Sequence, residues 1–357
     1  MKKLRIAMIG CGNIANSHLE GYKGVPEAEI VAACDINPAR MKKTCDKYGI
    51  PEEHRYTSVE EMLEKEKGNL DAADVCVWNI NHAPCAIAAL NAGLHVLCEK
   101  PMAYNAEQAE EMKAAADKAG KLLMIGFVLR FGNENMIVRD FIDSGMMGDI
   151  YYTKATYLRQ HGNPGGWFGN KALSGGGPVI DLGVHVIDQT RFLMGNPKPV
   201  SVFAMVSDKL GNRPELKNDI AWRPEEADPT KDINDVEDFG TALIRYDNGA
   251  VTLLECSYDL NGEDVGKKEL YGTKGGVVLG GEPKFYTTMN GYLTTVQPST
   301  RSLKAGGDMF TKEMAHFVDC ALNGTKCIAP AEDGIWVMKI LDAIYESGRT
   351  GHEVIIK

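Results

Sequence analysis

The first strand, turn and helix of the chain, residues 4–20, constrain the fold more than any other stretch. An apolar run from Leu4 to Ile9, flanked by lysines, has the pattern of a parallel strand buried on both faces. Gly10, Gly12 and Ala15 follow at once in the spacing G-x-G-x-x-A. Gly10 allows a tight turn, Gly12 lets the backbone approach a pyrophosphate, and Ala15 lets helix and strand pack closely. The stretch therefore predicts a dinucleotide cradle with phosphates at the helix N-terminus.

A carboxylate at the end of the next strand indicates which dinucleotide is bound. The strand 29–34 ends in Asp35, about 20 residues past the glycine turn, where it can accept both hydroxyls of an adenosine ribose. Only the neutral Ile36 and Asn37 follow, and Arg40 lies a turn into the next helix, so a 2'-phosphate would meet an uncompensated carboxylate. We expect NAD(H) rather than NADP(H). The alternative interpretation of Asp35 is a solvated turn acid.

Composition excludes several classes of partner. At 357 residues, two domains are the natural expectation, and the formal net charge of −10 argues against nucleic acid and anionic membranes. The apolar run after the N-terminal lysines is too short for a signal segment or a membrane span, so we expect a cytoplasmic protein. The nine cysteines have no metal-ligand spacing and are expected to be reduced thiols in the core.

Strands and helices alternate through the first third of the chain, which predicts a parallel, doubly wound sheet. We expect an α/β Rossmann domain over residues 1–127 and an α+β domain on a mostly antiparallel sheet over 128–357. The second half holds a hairpin signal at 247–249 and a segment at 208–235 that we expect to be a surface loop. It also holds long β-type runs at 151–157, 200–206, 239–246, 250–258 and 268–272. The terminal helix is a candidate to pack back on the first domain.

A lysine follows the buried strand 95–98, in the segment Glu99-Lys100-Pro101. This is the carboxyl edge of the predicted sheet, where the nicotinamide end of a cofactor would lie. Lys100 there could donate a hydrogen bond to a substrate hydroxyl or shuttle its proton. The alternative interpretation is a surface lysine whose stem covers apolar area.

An acid and a histidine lie four residues apart after three glycines, in the segment GGGPVIDLGVHVID of residues 175–188. Pro178 predicts a helix start, which places Asp181 and His185 on one face. Such a pair could bind a hydroxyl and remove its proton, because histidine titrates near neutral pH. A surface pair is the alternative interpretation, and since no third ligand has metal spacing, no metal is expected.

These motifs together resemble a known family. GCGNIA, Asp35, the run Asn79-Ile80-Asn81-His82, LHVLCEKPM and GGGPVIDLGVHVID are similar to the glucose-fructose oxidoreductase, inositol dehydrogenase and rhizopine-catabolism (Gfo/Idh/MocA) family, over essentially the whole chain. One departure is that Val77 and Trp78 replace the family's usual Thr-Pro, which could reshape the floor near the nicotinamide ribose.

The resemblance implies roles for particular residues. Lys100 and His185 would be the catalytic pair, and Asp181 a ligand of the substrate hydroxyl and the third catalytic residue. The cofactor-binding residues would be Gly10, Gly12, Asn13, Ile14, Asp35, Asn79, His82, Glu99 and Lys100. From position alone, the further substrate-binding candidates are Arg130, Tyr157, His161 and Trp167. Trp167 offers an aromatic face for a sugar ring, or is instead a buried core or subunit-contact residue.

The resulting functional prediction is an NAD-dependent oxidoreductase that oxidises a ring secondary alcohol of a neutral sugar, glycoside or inositol. Two alternatives remain open at this point: an NAD-dependent oxidation that starts glycosidic cleavage, and a dinucleotide-binding sensor without turnover. We expect a homo-oligomer (dimer, tetramer or hexamer) formed through the C-terminal sheet, because a broad open sheet face is hard to solvate.

Overall fold

The computed structural model describes residues 2–211, 213, 215–216, 223–224, 227–228, 230–299 and 307–357. The chain divides into two compact units. The first comprises Met1–Phe131 with Gly307–Ile335, and the second comprises Gly132–Gly306 with Trp336–Lys357. Part of the segment predicted as a loop at 208–235 lies outside the described residues.

The first unit is built on a parallel sheet in the order β3-β2-β1-β4-β5-β6. This is the Rossmann order, with β1 and β4 at the point where the winding direction reverses. Apolar runs form these strands because both faces of the sheet are covered. The strands are β1 (Leu4–Ile9), β2 (Ala28–Cys34), β3 (Arg55–Tyr56), β4 (Ala72–Val75), β5 (His95–Glu99) and β6 (Leu123–Gly126). The predicted doubly wound fold is confirmed.

Helices alternate with these strands and begin at polar caps. The Asn37 side chain accepts hydrogen bonds from the amides of Ala39 and Arg40, and the Ser58 side chain accepts one from the amide of Glu61. The helices are α1 (Asn13–Lys23), α2 (Pro38–Tyr48), α3 (Val59–Lys65), α4 (Asn79–Asn91) and α5 (Ala106–Ala119), with short 3-10 turns at Glu52–His54 and Val128–Phe131.

The second unit carries a larger sheet, which has nine strands in the described residues. The strands are β7 (Ile150–Leu158), β8 (Pro199–Ser207), β9 (Phe239–Tyr246), β10 (Val251–Ser257), β11 (Val265–Gly272), β12 (Gly275–Leu279), β13 (Lys284–Met289), β14 (Tyr292–Val296) and β15 (Val354–Ile355). Their order is β14-β13-β12-β11-β7-β10-β9-β8-β15, and only the β7–β10 pair is parallel among these described strands. The predicted mostly antiparallel sheet is confirmed.

The helices that follow β6 complete the two units. They are α6 (Asn133–Asp143), α7 (Lys171–Ser174), a π-helical segment Val179–Gly183 that runs into α8 (Val184–Leu193), α9 (Met309–Asn323) and α10 (Ala331–Thr350). Helix α9 belongs to the first unit and packs on α1, where a Cβ on Gly21 would lie 3.0 Å from the carbonyl carbon of Phe310. Helix α10 begins in the first unit and continues in the second.

Two further predictions can be compared with the structure. All nine cysteines are described, all are free, and seven of them are buried, as expected for thiols that serve as small core residues. The predicted hairpin at 247–249 is present: Gly249 has φ +84° and donates its amide to Tyr246. In the described part of the chain, every helix is too short or too polar to cross a membrane.

Candidate active site

The glycine turn after β1 is constrained by direct contact with β4. Gly10 has φ +94°, and a Cβ at this position would lie 2.1 Å from the carbonyl oxygen of Cys76. Only glycine fits this position without displacing backbone. A Cβ on Gly12, by contrast, would meet no described atom within 4 Å. The backbone at Gly12 therefore borders open space of the kind that a pyrophosphate needs.

Helix α1 begins immediately at this turn. Gly12 is its N-cap, and no described side chain accepts a hydrogen bond from the first amides, which start at Asn13 and Ile14. These amides and the helix dipole favour an anionic group. The predicted cofactor residues Gly10, Gly12, Asn13 and Ile14 thus form the turn and the start of α1, and the chemistry of their backbone fits the phosphates of NAD.

The carboxylate of Asp35 is held by its own neighbourhood. Its oxygens accept hydrogen bonds from the amide of Cys11 at 2.8 Å and from that of Asn37 at 2.7 Å. Arg40 folds back from α2 and donates through Nε and Nη2, both at 3.0 Å. The prediction of an uncompensated carboxylate is therefore wrong, because one helical turn lets a long arginine side chain reach back to the end of β2.

The turn after β5 carries the predicted lysine. The amide of Lys100 donates to Glu99 Oε2 at 2.9 Å, and Glu99 is buried. Lys100 and Pro101 are joined by a cis peptide bond. On the other side of the turn, His82 of α4 has Nδ1 2.6 Å from the carbonyl oxygen of Pro101 and Nε2 3.1 Å from that of Val77. Burial lowers the pKa of His82, against the opposing effect of the hydrogen bond to Pro101.

The structure therefore brings several predicted cofactor residues into one turn. Glu99, Lys100 and His82 are linked by hydrogen bonds to the backbone of residues 100 and 101. Asn79 is buried at the start of α4, directly after Trp78, which is the N-cap of that helix. Val77 and Trp78 thus lie in the short loop between β4 and α4, at the two positions where the family usually has Thr-Pro.

In the second unit, the segment 176–191 is buried except at two positions. Asp181 and His185 are the only residues of this fully described segment whose side chains are partly exposed. Residues 179–183 form a π-helical turn rather than the regular helix start that Pro178 predicts. Both predicted residues are nevertheless partly exposed, and accessibility is what an acid and a base acting on a substrate hydroxyl require.

Asp181 is joined to an aromatic and a cationic side chain. Tyr258, which follows β10, donates its hydroxyl to Asp181 Oδ2 at 2.8 Å. Burial and the nearby carboxylate raise the pKa of Tyr258 well above its usual value, so the hydroxyl keeps its proton. Arg159 interacts electrostatically with Asp181 and donates to the hydroxyl of Tyr157 at 3.0 Å. The predicted substrate residue Tyr157 therefore belongs to the same group as Asp181.

A second carboxylate, that of Glu237, holds the backbone of the glycine segment 175–177 and the residues after it. Glu237 accepts hydrogen bonds from the amides of Gly177 at 2.9 Å and Val179 at 3.1 Å, and from the Tyr345 hydroxyl at 2.9 Å. Gly176 must be glycine, because a Cβ there would lie 2.0 Å from the hydroxyl oxygen of Tyr345. Burial raises the pKa of Glu237. This acid fixes the start of the helix that carries Asp181 and His185.

The remaining substrate candidates have specific partners. The Arg130 side chain is fully buried in the first unit, where it donates to Asp333 at 2.9 Å and to the carbonyl oxygen of Ile328. His161 Nδ1 lies 2.9 Å from Asp259. The Trp167 ring packs on Phe168 with centroids 3.9 Å apart and is partly exposed.

Two clusters in the described residues have the donor types of a metal site. They are His18 with Asp74 and Cys76, and His316 with Cys320 and Cys327. Their donor atoms already have partners: both ring nitrogens of His18 contact carboxylates, and His316 Nε2 accepts the amide of Ile328 at 3.0 Å. A bound metal would have to displace these hydrogen bonds.

Sequence reasoning missed Tyr258, Glu237 and His18. The first two are remote in sequence from the residues they support, and no local pattern marks them. His18 had a signal, since it lies on the buried face of α1 and the acid Asp74 lies inside an apolar strand. A buried acid and a buried histidine in neighbouring elements indicate a pair.

Comparisons with known proteins agree with this geometry. Residues 4–127 match the family model described as "Oxidoreductase family, NAD-binding Rossmann fold", and residues 136–278 match the "GFO/IDH/MocA C-terminal domain". The chain is 34% identical over 355 residues to D-glucoside 3-dehydrogenase of Escherichia coli, covering 98% of this chain and 97% of that protein. It is 25% identical over 342 residues to myo-inositol 2-dehydrogenase of Thermotoga maritima, covering 93% and 92%.

A solved structure has the same fold. Levoglucosan dehydrogenase in complex with NADH matches with a TM-score of 0.86 and 24% identity over 100% of both chains. The predicted cofactor, NAD(H), and the predicted class of enzyme, a dehydrogenase of sugars or polyols, are confirmed. The chain belongs to the Gfo/Idh/MocA family of NAD-dependent oxidoreductases.

Proposed function

We propose that this enzyme oxidises a ring secondary alcohol of a neutral glycoside, at carbon 3 of the pyranose ring, with NAD⁺ as the oxidant. The choice among sugars, glycosides and inositols is supported by the full-length similarity to a D-glucoside 3-dehydrogenase. The observation that carries the catalytic assignment is the pair Asp181 and His185, which are the two accessible side chains of an otherwise buried segment.

Each proposed residue has a definite task. Asp181 accepts a hydrogen bond from the substrate hydroxyl, and the Tyr258 hydroxyl keeps its carboxylate oriented. His185 removes the hydroxyl proton, and Lys100 donates a hydrogen bond to the same oxygen as the carbonyl forms. Bound NAD⁺ would supply the acceptor for the hydride of the carbinol carbon. The bound substrate thus loses one proton and one hydride and becomes a ketone.

The first unit supplies the proposed cofactor contacts. The amides at Asn13 and Ile14 with Gly10 and Gly12 bind the pyrophosphate. Asp35 binds the adenosine ribose, sharing its carboxylate with Arg40. The remaining proposed cofactor residues are Asn79, His82, Glu99 and Lys100.

The charges of the second unit favour a neutral substrate. Asp181 is the acid on the accessible face, and Arg159 is already engaged by Tyr157 and by Asp181. A phosphate or carboxylate on the substrate would therefore approach Asp181 while Arg159, its described cationic neighbour, is already engaged. Trp167 is proposed to contact the sugar ring or its substituent.

The proposal is tested by NADH formation with methyl glucosides, free hexoses, inositols and sugar phosphates. Glucosides should give the highest kcat/KM. Lys100→Ala and His185→Ala should lower kcat on the order of 100-fold while NADH affinity changes little. His352→Ala, at an exposed histidine, is the control and should keep wild-type turnover.

Several outcomes would contradict the proposal. Wild-type turnover in both catalytic variants would exclude the assigned roles. Activity confined to phosphorylated or carboxylated substrates would exclude a neutral substrate. Aglycone release without net NADH would indicate transient oxidation that starts glycosidic cleavage, and tight NADH binding with no turnover on any substrate would indicate a sensor.

We also propose that the enzyme is a cytoplasmic homo-oligomer. Phe203 and Leu243 are paired neighbours on β8 and β9 and are 52% and 45% exposed, with Met205 beside them at 51%. An apolar sheet face of this kind is suited to a second copy of the chain. Nine free thiols fit a reducing compartment. Light scattering should give more than one chain per particle, and Leu243→Asp should lower that number; a wild-type monomer would contradict the proposal.

A further inference from the structure

A cluster of buried ionisable side chains lies behind the turn that carries Lys100. All of its members belong to the first unit and are at most 5% exposed. They come from α1, from β4 and the residue after it, from the end of β5, and from α9. The members are His18, Tyr22, Asp74, Cys76, Glu99 and Glu313.

His18 lies at the centre of this cluster. Its Nδ1 is 2.9 Å from Asp74 Oδ2, and its Nε2 is 2.9 Å from Glu99 Oε1. Carboxylate oxygens accept hydrogen bonds, whereas a neutral imidazole donates through only one nitrogen. Contacts of both nitrogens with carboxylates therefore indicate the doubly protonated imidazolium, a cation shared by two acids.

The charges around His18 support the same protonation state. Burial opposes a cation, but the charges and hydrogen bonds of Asp74 and Cys76 together outweigh it and raise the pKa of His18 well above its usual value. Tyr22 donates its hydroxyl to Asp74 at 3.0 Å. Burial raises the pKa of Glu313 well above its usual range, so Glu313 is a neutral acid and adds no competing negative charge.

A short chain of hydrogen bonds joins His18 to the lysine. His18 holds Glu99 Oε1, and the other oxygen of the same carboxylate, Oε2, accepts the amide of Lys100 at 2.9 Å. Gly126 lies against this carboxylate, because a Cβ there would lie 3.0 Å from Glu99 Oε1. The Glu99 side chain is thus confined by His18 and by β6, and the backbone of Lys100 is attached to it.

We propose that His18 is a positioning residue: through Glu99 it sets the backbone of Lys100 and so the direction in which the lysine side chain leaves the sheet. This inference rests on the proposed role of Lys100. His18 is fully buried, so we assign it no direct contact with substrate or cofactor. Small errors in the placement of a catalytic group lower turnover strongly, because reactive geometry tolerates little displacement.

The first test is His18→Gln in the full-length enzyme. Glutamine has a similar reach but no charge, so it cannot hold both carboxylates as the imidazolium does. We expect kcat to fall roughly 10- to 100-fold, with NADH Kd and substrate KM changed less than about threefold. Tyr22→Phe is the matched control, since it removes a buried hydrogen bond to Asp74 but none to Glu99. It should keep kcat within about twofold of wild type.

The second test separates positioning from general loss of structure. If His18 acts only through Lys100, then His18→Gln should lower kcat no further in a Lys100→Ala background. Losses that multiply in the double variant would overturn the proposal and assign His18 a structural role. A Lys100→Ala enzyme with wild-type kcat would instead overturn the proposed role of Lys100 itself, and the inference with it.

The third test needs no variant. In the wild-type enzyme labelled with ¹⁵N-histidine, one imidazole should keep protons on both nitrogens at pH 8, where ordinary histidines are neutral. The His18→Gln spectrum, or that of His18→Asn where the former does not fold, assigns the signal. If every histidine of the wild type is neutral at pH 8, the proposal is wrong.

Discussion

The glycine turn of the first unit and the Asp181 helix of the second are supported in different ways. Gly10 and Asp35 are held by neighbours at the ends of adjacent parallel strands, through Cys76 and the amide of Cys11. Asp181 depends on Tyr258, 77 residues further along the chain, and its helix starts on Glu237, 60 residues beyond Gly177. A site at strand ends is assembled by the sheet itself, whereas the second site requires several loops to fold together.

The largest effect is expected at Gly10, where the backbone of the first unit leaves no room for a side chain. Gly10→Ala would bring a Cβ to 2.1 Å from the Cys76 carbonyl oxygen at a positive φ, at a cost of about 2–5 kcal/mol. The displaced turn should weaken NADH binding on the order of 100-fold in a fluorescence titration. Gly12→Ala is the control for folding and should keep the wild-type Tm within about 2 °C, because its Cβ meets open space. Wild-type NADH affinity in Gly10→Ala would show that the turn is not so constrained.

A smaller effect is expected where the second unit relies on remote support. Tyr258→Phe removes the hydrogen bond to Asp181 and should lower kcat/KM about tenfold, as typical of a bond to a charged group. NADH affinity should be unchanged. Tyr246→Phe, also at a buried tyrosine, removes only a bond from Thr252 and should retain wild-type kcat/KM. Equal losses in the two variants would mean that packing, rather than orientation of Asp181, is responsible.

The preference for NAD(H) over NADP(H) tests whether Asp35 and its neighbour Arg40 together determine recognition of the ribose. Arg40 neutralises Asp35 and offers a cation near the ribose, so Arg40→Ala should weaken NADP(H) binding more than NAD(H) binding. We expect the ratio of the two Kd values to rise about three- to tenfold, as measured by isothermal titration. Lys42→Ala, on the same helix with an exposed partner, should leave the ratio unchanged. An unchanged ratio in Arg40→Ala would mean that Arg40 does not face the 2'-position.

The last comparison concerns the free energy of unfolding and its dependence on pH. Burial raises the pKa of Glu313 well above its usual value of 4.5. At pH values above 4.5, folding is therefore accompanied by uptake of a proton by this carboxyl group. This contribution is fully present below the unfolded pKa and is lost as pH rises toward the folded pKa, by up to ~1.4 kcal/mol per pH unit. Glu313→Gln cannot titrate, so its advantage over wild type should grow between pH 5 and pH 8 in urea unfolding. Parallel stability curves would contradict a protonated Glu313.

The first unit could be predicted in detail because its signals are local. Buried parallel strands are continuous apolar runs, and the turn after β1 is a contiguous pattern. The pairing of Arg40 with Asp35 was missed because it depends on the rotamer of the arginine side chain. A local sequence pattern does not determine that rotamer. His18 was missed because its partners, Asp74 and Glu99, are 56 and 81 residues away.

The second unit was predicted more coarsely. The long strands β7 to β11 were recognised, whereas β12, β13 and β14 were not. Strand β12 begins with Gly275 and Gly276, and β13 and β14 carry threonine and exposed apolar residues instead of a clear alternation. Their strand character comes from pairing with β11 and with one another, which is a property of the assembled sheet.

The π-helical turn at Val179–Gly183 restricts how this segment can change in length. A π turn is equivalent to an α-helix that has accepted one inserted residue, and such insertions persist in protein lineages mainly where they serve a function. Removing one residue from 179–183 would restore the α-helix and rotate every side chain before it by about 100° relative to His185. Asp181 would then leave the accessible face. Substitutions within the turn can therefore change substrate specificity in small steps. Deletion of a single codon would instead separate Asp181 from His185 at once.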